Sequence, residues 1–317
     1  MTNSLTWIPR PVADEAITHL RKHGDVALGY GPNAVDYRTV APRTTGVLLR
    51  TAEFRKDDID LAPKLRVIAR HGAGFDTVDV DAATERGIPV TVTGAANADS
   101  VAEHVFALLL AVARNVTAAD RAVRDGQWST ARGVLTGIEL VGRTMGLLGC
   151  GRIGRRVAAI AQALGMTVVA SDPALSDVPG VPLVGKGELL EASDVVSLHL
   201  PLTPTTANII DREALAALPT GAILINTARG ELIDESALLE YLDNGHLAGA
   251  GLDVLATEPP SAANPLVAHP RTVLSPHIGG QTYEAMRRVA LDAAHSILAV
   301  YRGEVPANAI NIPVASQ

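Results

Sequence analysis

The sequence has little cysteine, no long apolar run and no excess of basic residues, and each scarcity excludes a class of protein. Cys150 is the one cysteine, so no intramolecular disulfide can form, which fits a reducing compartment. The longest apolar run, residues 105–113, is far shorter than the roughly 20 residues that span a membrane. The formal net charge of −7 and the absence of Lys/Arg runs argue against nucleic-acid or acidic-membrane partners. The N-terminal residues do not resemble a signal peptide, so we expect a cytoplasmic protein.

The remaining composition is that of a two-domain α/β protein. The chain has 317 residues, of which 47% are apolar and 19% charged. Short apolar β-branched runs alternate with amphipathic or Ala-rich stretches, a pattern typical of βαβ units with parallel sheets covered on both faces. The predicted strands lie at 46–50, 66–70, 88–92, 144–149, 166–172, 194–200, 222–227, 248–254 and 272–277.

One long helix is predicted between the two groups of strands, over residues 100–128. Ser100 followed by Glu103 forms a capping-box pattern at its start. Its middle is apolar on nearly all sides, which predicts burial. It is either a core helix or a helix at an interdomain or subunit interface, and we favour the interface.

The segment 147–158, LLGCGRIGRRVA, contains the spacing G-x-G-x-x-G at Gly149, Gly151 and Gly154. A predicted strand precedes it and a predicted helix follows, and a second strand closes with Asp172 at about the expected distance. Gly149 permits the turn, Gly151 lets the backbone approach a pyrophosphate, and Gly154 allows close helix–strand packing. The alternative is an ordinary strand–helix turn without a ligand. Asp172 would accept from ribose hydroxyls and repel a 2′-phosphate, which favours NAD over NADP.

The glycine motif lies near the middle of the chain because an earlier domain precedes it. We therefore predict a nucleotide-binding domain at 99–288, inserted into a first domain formed by 1–98 and 289–317. The last helix, 282–303, is expected to return to the first domain.

Three later segments make the pattern specific: LINTARGELIDESAL (224–238), GAGLDVLATEPP (249–260) and LSPHIGGQT (274–282). With GCGRIG and RHGAGFDTVDVDAA (70–83), they resemble the D-isomer-specific 2-hydroxyacid dehydrogenases from about residue 45 to residue 300. The resemblance implies two Rossmann-like domains, with an NAD-binding domain inserted into a flavodoxin-like substrate domain. It implies NAD as the cofactor, with no metal, and a homodimer through residues around 100–128.

The resemblance also implies roles for individual residues. Arg229 would hold the substrate carboxylate and carbonyl oxygen, for which a planar guanidinium is suited. His277 would be the general acid and base. Glu258 would orient His277 and favour its protonated form. His199 is interpreted as a pocket-lining or structural residue. Taken singly, any of these residues is more often structural than catalytic.

Further site residues follow from the same resemblance. Asp253 would bond the nicotinamide carboxamide, and Gly72, Ala73 and Gly74 would hold the substrate carboxylate through backbone amides. The remaining expected cofactor contacts are Arg152, Ile153, Leu200, Pro201, Thr206, Thr227, Ala228 and Gly279.

The substrate is expected to be a 2-hydroxy or 2-keto acid of the phosphoglycerate or hydroxypyruvate type. Arg50 would approach a second anionic group, with a solvent-facing arginine as a nearly equal alternative. Arg70 and Arg132 either lie near the cleft with Arg50 or are solvated surface charges, and we favour surface charges. The role of His71 is left open. Glu258 argues against formate oxidation, which needs no acid–base pair. The alternative function is an NAD-sensing corepressor-like binding protein of the same fold.

Overall fold

The computed structural model describes residues 4–311, which divide into two compact units. Unit 1 runs from the N-terminus to Asn97 and resumes at Gly280, and unit 2 is Ala98–Gly279. The second boundary therefore lies at Gly280 rather than at residue 289. The physical reason is the last helix, which is continuous from Tyr283 to Tyr301 and starts at an N-cap where the Thr282 side chain accepts from the Ala285 N–H.

Unit 1 is a five-stranded parallel sheet with helices. Its strands are β1 Leu5–Ile8, β2 Asp25–Leu28, β3 Gly46–Leu49, β4 Val67–Arg70 and β5 Val90–Thr91. Its helices are α1 Asp14–Arg21, α2 Tyr37–Val40, α3 Lys56–Asp60, α4 Val80–Glu85 and α13 Tyr283–Tyr301. The strand order β2-β1-β3-β4-β5 is the flavodoxin-type doubly wound order.

Unit 2 is a six-stranded parallel sheet in the order β11-β10-β9-β8-β6-β7. Its strands are β6 Thr144–Leu148, β7 Thr167–Ser171, β8 Val195–Leu198, β9 Ala222–Asn226, β10 Leu247–Leu252 and β11 Thr272–Leu274. Its helices are α5 Ala98–Ala113, α6 Val116–Arg124, α7 Trp128–Val134, α8 Arg152–Ala163, α9 Lys186–Ala192, α10 Arg212–Ala217, α11 Glu235–Asp243 and α12 Pro265–Ala268. The predicted α/β class is confirmed.

Each face of the unit 2 sheet has its own apolar core, because successive side chains of a strand point to opposite faces. In β9, Ile223 and Ile225 pack with residues of α5 and α8, whereas Leu224 packs with residues of α10 and α11. Burial on both faces is why the strand sequences are continuously apolar instead of alternating.

The predicted single helix over 100–128 is wrong. Helix α5 begins at Ala98, so Ser100 lies inside it, and the chain then breaks at Asn115, which has φ +54°. The axes of α5 and α6 differ by 62° across this break. Helix α5 is largely buried, whereas every residue of α6 is at least partly exposed, so the two helices face different surroundings.

Among the described residues, no single helix is both long and apolar enough to cross a membrane. Only the bent pair α5 and α6, taken together, reaches that length and hydropathy.

Candidate active site

The glycine-rich turn between β6 and α8 needs its glycines for two different reasons. Gly149 has φ +92°, and a Cβ there would lie 2.6 Å from the His199 carbonyl oxygen. A Cβ at Gly154 would collide with the Gly149 carbonyl oxygen. Gly151 has φ −70°, and no atom of the described chain lies within 4 Å of a Cβ built there. Packing therefore explains Gly149 and Gly154, while the open space at Gly151 fits a ligand approaching the backbone.

Asp172 follows β7 and reaches the same turn. Its Oδ2 accepts from the Cys150 N–H at 2.9 Å, and its Oδ1 accepts from the Ala174 N–H at 3.0 Å. The two elements meet because β6 and β7 are neighbours and their carboxyl ends share one edge of the sheet. The structure brings the glycine turn and the acid together as expected, whereas the role of Asp172 toward a ribose stays a prediction.

The residues after β8 lie at the same edge of the sheet. Leu200 Cδ2 would lie 3.1 Å from a Cβ at Gly149, so this side chain borders the turn. The Thr206 hydroxyl donates to the Pro201 carbonyl at 2.7 Å and thereby closes the turn that follows β8. Arg152 and Ile153 begin α8, with Arg152 exposed and Ile153 partly buried against the core.

This edge of the sheet is where doubly wound sheets bind ligands. The strand order reverses between β6 and β8, and the carboxyl ends of those two strands carry the glycine turn and Leu200. The first turn of α8 contains no acidic residue, so its N–H groups present positive potential to an anion. These features fit a dinucleotide.

A second group of expected site residues follows β9. Asn226 is fully buried, and its amide clamps the turn by donating to the Arg229 carbonyl at 2.7 Å and accepting from the Ala228 N–H at 2.9 Å. Arg229 is half-buried, and its Nη1 donates to the Ala228 carbonyl at 2.6 Å. The Thr227 Oγ1 is buried and has no hydrogen-bond partner within the described chain, so a polar ligand atom would satisfy it.

This turn packs directly on the segment that carries Glu258. A Cβ at Gly230 would collide with the backbone of Leu255 and Ala256, so glycine is required for the two segments to touch. The Leu255 N–H donates to Glu258 Oε1 at 3.3 Å. The fold thereby brings the turn containing Arg229 and the loop containing Glu258 together at the ends of β9 and β10.

Glu258 and His277 form a hydrogen-bonded pair. His277 Nδ1 lies 2.8 Å from Glu258 Oε2, and because an ionised carboxylate only accepts, Nδ1 carries the donated proton. The side chains of His277 and Glu258 are 48% and 38% exposed, so the pair is accessible to a small molecule. This is the geometry that the sequence motifs imply for a histidine oriented by a carboxylate.

His277 lies in a backbone conformation that a buried carboxylate holds in place. Its φ is +54°, in the left-handed region that non-glycine residues seldom adopt. The His277 N–H donates to the Asp253 carbonyl at 2.8 Å. The N–H groups of Ile278 and Gly279 donate to Asp253 Oδ1 and Oδ2 at 2.9 and 2.8 Å.

Asp253 was expected to contact the nicotinamide, but in the structure its carboxylate accepts hydrogen bonds from other groups of the protein. Burial raises the pKa of Asp253, but hydrogen bonds from His104, Ser275 and the two backbone N–H groups outweigh burial and leave the pKa below its ordinary value. A Cβ at Gly279 would lie 2.9 Å from Asp253 Oδ2, so this glycine, an expected cofactor contact, is also needed by the carboxylate. Sequence reasoning did not find His104 or Ser275.

The unit 1 residues with expected roles follow the neighbouring strands β3 and β4. Gly72 has φ +139°, and its N–H donates to Thr93 Oγ1 at 2.8 Å. The Gly72 N–H is therefore already hydrogen-bonded. Of the three backbone amides predicted to hold the substrate carboxylate, those of Ala73 and Gly74 remain. Arg70 donates to the Gly74 carbonyl at 2.9 Å and to the Arg50 carbonyl at 2.8 Å.

The interpretation of Arg70 as a solvated surface charge is wrong. Its relative exposure is 6%, because β4 lies inside the sheet between β3 and β5 and the side chain turns back to hold the loop after its own strand. Arg132 in α7 is exposed, as expected for a solvated charge. Arg50 is half-buried, donates to the Pro11 carbonyl at 3.2 Å, and has its pKa lowered by burial.

Two histidines at strand ends are held neutral. Burial, with a contribution from the Arg50 charge, lowers the pKa of His71 to about 4, and its ring lies 3.3 Å from the Met286 carbonyl. Burial also lowers the pKa of His199 to about 4. His199 sits under the glycine turn and bonds Ser197 Oγ at 3.0 Å, which agrees with a structural role.

Comparisons with known proteins agree with these arrangements. The family model described as "D-isomer specific 2-hydroxyacid dehydrogenase, NAD binding domain" matches residues 106–279, which places an NAD(P)-binding domain in unit 2. The D-3-phosphoglycerate dehydrogenase of Mycobacterium tuberculosis is 39% identical over 98% of this chain and 60% of its own length. The chain thus spans about 60% of that curated relative.

Two further relatives match along nearly their whole length. The glyoxylate reductase of Korarchaeum cryptofilum is 36% identical, and the match covers 96% of this chain and 95% of the reductase. The solved structure of the TT0316 protein from Thermus thermophilus is 40% identical, with a TM-score of 0.88 over 96% of this chain and 99% of its own. On these grounds the chain belongs to the D-isomer-specific 2-hydroxyacid dehydrogenase family.

Proposed function

We propose that this protein is an NAD-dependent D-2-hydroxyacid dehydrogenase, which reversibly transfers a hydride between NAD(H) and a 2-hydroxy or 2-keto acid. Unit 2 binds the cofactor and unit 1 is the substrate domain. The observation that carries the proposal is the 2.8 Å contact between His277 and Glu258, on the same sheet edge as the glycine turn and Asp172. A corepressor-like binding function is not favoured, because the relatives are named as dehydrogenases and reductases.

His277 handles the proton of the reaction. Its Nδ1–H is donated to Glu258, which assigns proton exchange with the substrate oxygen to Nε2. In reduction the imidazolium gives this proton to the forming hydroxyl, and in oxidation the neutral ring removes it. Glu258 fixes the ring orientation and stabilises the imidazolium by its negative charge.

Arg229 orients the substrate. Its guanidinium can hold a carboxylate and the adjacent carbonyl oxygen in one plane, which fixes the carbonyl for attack from one face. Asn226 supports this role because it clamps the turn on which Arg229 lies.

Residues of unit 2 would hold NAD: the Gly149–Gly154 turn at the pyrophosphate, Asp172 at the ribose and Thr227 among the polar contacts. NAD, when bound, supplies or accepts the hydride. We propose NAD rather than NADP because the Asp172 carboxylate would repel a 2′-phosphate in the same position.

The proposed substrates are phosphohydroxypyruvate, hydroxypyruvate or glyoxylate and the corresponding hydroxy acids. Support comes from the activities for which the relatives are named and from Arg50, a half-buried cation whose carbonyl shares the Arg70 guanidinium with the carbonyl of Gly74. A second anionic group on the substrate would complement that cation.

The first experiment follows NADH absorbance with the purified protein against these keto acids, pyruvate and oxaloacetate, and repeats each with NADPH. His277→Asn is the matching variant, because asparagine tolerates the left-handed backbone that His277 adopts. We expect kcat to fall by about 10²–10⁴, the usual share of general acid–base catalysis.

Two carboxylate variants complete this experiment, one as a test of Glu258 and one as a control. Glu258→Gln should lower kcat by less than His277→Asn does. Asp243→Asn disrupts a different carboxylate–histidine pair of unit 2, Asp243 with His269 at 3.3 Å, and should leave kcat unchanged. Unchanged turnover in His277→Asn would refute the assignment.

We also propose that the protein is a cytoplasmic homodimer and that α6 and α7 contribute to its interface. Val123 and Trp128 are 48% and 64% exposed, so an apolar surface lies on this part of unit 2. Light scattering after size exclusion should give twice the chain mass, and Val123→Asp with Trp128→Glu should shift it toward one chain. The control is Val141→Asp, at a 66% exposed valine outside these helices, which should leave the mass unchanged.

A further inference from the structure

A chain of three side chains links helix α5 to the segment that carries His277. His104 Nε2 lies 2.7 Å from Ser275 Oγ and 3.2 Å from Asp253 Oδ1, and Ser275 Oγ lies 2.6 Å from Asp253 Oδ1. The side chain of His104 is 18% exposed and that of Asp253 1%, so the network is largely shielded from water.

The proton positions in this chain follow from the chemistry of its members. The Asp253 carboxylate, whose pKa lies below its ordinary value, only accepts hydrogen bonds. Ser275 therefore donates its one hydroxyl proton to Asp253. The Ser275 oxygen must then accept from His104, which requires a proton on His104 Nε2.

The same carboxylate organises the backbone around His277. Asp253 accepts from the N–H groups of Ile278 and Gly279, and its carbonyl accepts from the N–H of His277. One buried anion thus anchors both sides of a residue whose left-handed φ is seldom adopted by residues other than glycine. His104 and Ser275 set where that anion's Oδ1 points.

We propose that His104 is a positioning residue, which acts through Ser275 and Asp253 to hold segment 275–279 in the conformation that presents His277 to the substrate. The inference rests on the proposed function of His277. If segment 275–279 were not held in place, the half-exposed His277 would present its ring in several positions even while hydrogen-bonded to Glu258. A misplacement of about 1 Å can lower a rate roughly 100-fold.

The test compares His104→Leu, which removes the donor, with His104→Gln, whose amide N–H reaches a similar position. We expect His104→Leu to lower kcat about 10- to 100-fold while KM and the NADH dissociation constant stay within about threefold. His104→Gln should restore most of the activity. His246→Leu is the control, because His246 is a half-buried histidine of unit 2 whose Nε2 contacts the Leu218 carbonyl.

A double-mutant cycle separates positioning from general damage. If His104 acts through His277, His104→Leu should cause no further loss of kcat in the His277→Asn background. A full, multiplicative loss in that background would overturn the proposal. If His104→Leu does not fold, Ser275→Ala and Ser275→Thr provide the same comparison, since threonine keeps the hydroxyl.

Hydrogen exchange gives a readout that does not depend on activity. The Ile278 and Gly279 amides should exchange at least about tenfold faster in His104→Leu than in the wild type or in His246→Leu. Unchanged exchange would overturn the proposal even if kcat fell. Wild-type protein that turns over no keto acid would refute the proposed function, while the exchange rates would still decide whether His104 positions this segment.

Discussion

Gly151 and Gly154 belong to one motif, and the structure predicts opposite consequences for replacing them with alanine. A Cβ at Gly154 collides with the Gly149 carbonyl oxygen, whereas a Cβ at Gly151 meets no described atom within 4 Å. Gly154→Ala should therefore damage the folded protein itself. Gly151→Ala should leave the fold intact and obstruct only a ligand that approaches this backbone.

The stability cost of Gly154→Ala can be bounded. The obstructing atom is a backbone oxygen, so the strand–helix turn must shift, and such overpacking costs about 1–3 kcal/mol. For a unit of this size each kcal/mol lowers Tm by about 2–4 °C, so we expect a decrease of about 2–12 °C. Gly187→Ala, at an exposed position of helix α9 with open space around its Cβ, is the control and should not destabilise.

The effect of Gly151→Ala should appear in binding. Gly151 is the N-cap of α8, where alanine costs up to about 1 kcal/mol, so Tm should change little. A methyl group between the backbone and a pyrophosphate should cost about 1–3 kcal/mol of binding, which is about a 5- to 150-fold higher Kd.

The assay pairs thermal unfolding of the free protein with NADH titration by fluorescence for all three alanine variants. Equal NADH affinity in Gly151→Ala and wild type would refute the idea that a dinucleotide passes over this residue. Equal Tm in Gly154→Ala and Gly187→Ala would refute the packing argument for the last glycine.

Two further predictions concern His71 and Asp172. His71 has a pKa of about 4 in the folded protein and about 6.5 when unfolded, so the unfolded state binds an extra proton as pH falls below 6.5, and about 3 kcal/mol of stability is lost by pH 4. Urea unfolding from pH 8 to 4 should therefore show a smaller loss of stability for His71→Gln than for the wild type. Equal losses in the two proteins would contradict this prediction. Asp172→Asn keeps an acceptor for the Cys150 N–H but removes the charge, so the preference for NADH over NADPH should fall about fivefold or more, and an unchanged ratio of kcat/KM would exclude charge repulsion.

Most of the sheet structure could be predicted from the sequence because the strands are buried on both faces. Each of the nine predicted apolar runs overlaps an observed strand. The strands β1 (Leu5–Ile8) and β2 (Asp25–Leu28) were missed. Thr6 interrupts the apolar sequence LTWI of β1, and β2 is an edge strand with no buried residue in its pattern.

The helix after residue 98 shows a limit of pattern reasoning. Apolar periodicity reports that residues are helical and buried, but it does not report where the axis turns. The turn depends on one residue, Asn115, whose left-handed backbone costs asparagine little. A short polar residue after a continuous apolar run was the available signal. It is weak because an asparagine inside a helix costs less than about 1 kcal/mol relative to alanine, so its presence alone does not end a helix.

At the candidate site, the sequence identified the residue types and one contact, that of Glu258 with His277, but not the hydrogen bonds that hold the surrounding backbone. The proposed roles of Arg229, Glu258 and His277 follow from their motifs, and the parallel sheet explains why strand ends distant in sequence share one edge. Asp253 was assigned to the cofactor because its motif indicates only that it follows β10. The saturation of its carboxylate depends on donors from α5 and from the segment after β11, which no local pattern connects.

The unit 2 edge therefore divides into two regions built on different principles. At β6 and β8 the chain has glycines instead of side chains, which leaves backbone N–H groups and open space for the proposed dinucleotide. At β9 to β11 it has charged side chains, and the proposed proton transfer requires these to be held in place because it tolerates little displacement. The left-handed His277 meets that demand through backbone hydrogen bonds to one buried carboxylate, so its placement depends on Asp253 and its donors as much as on Glu258.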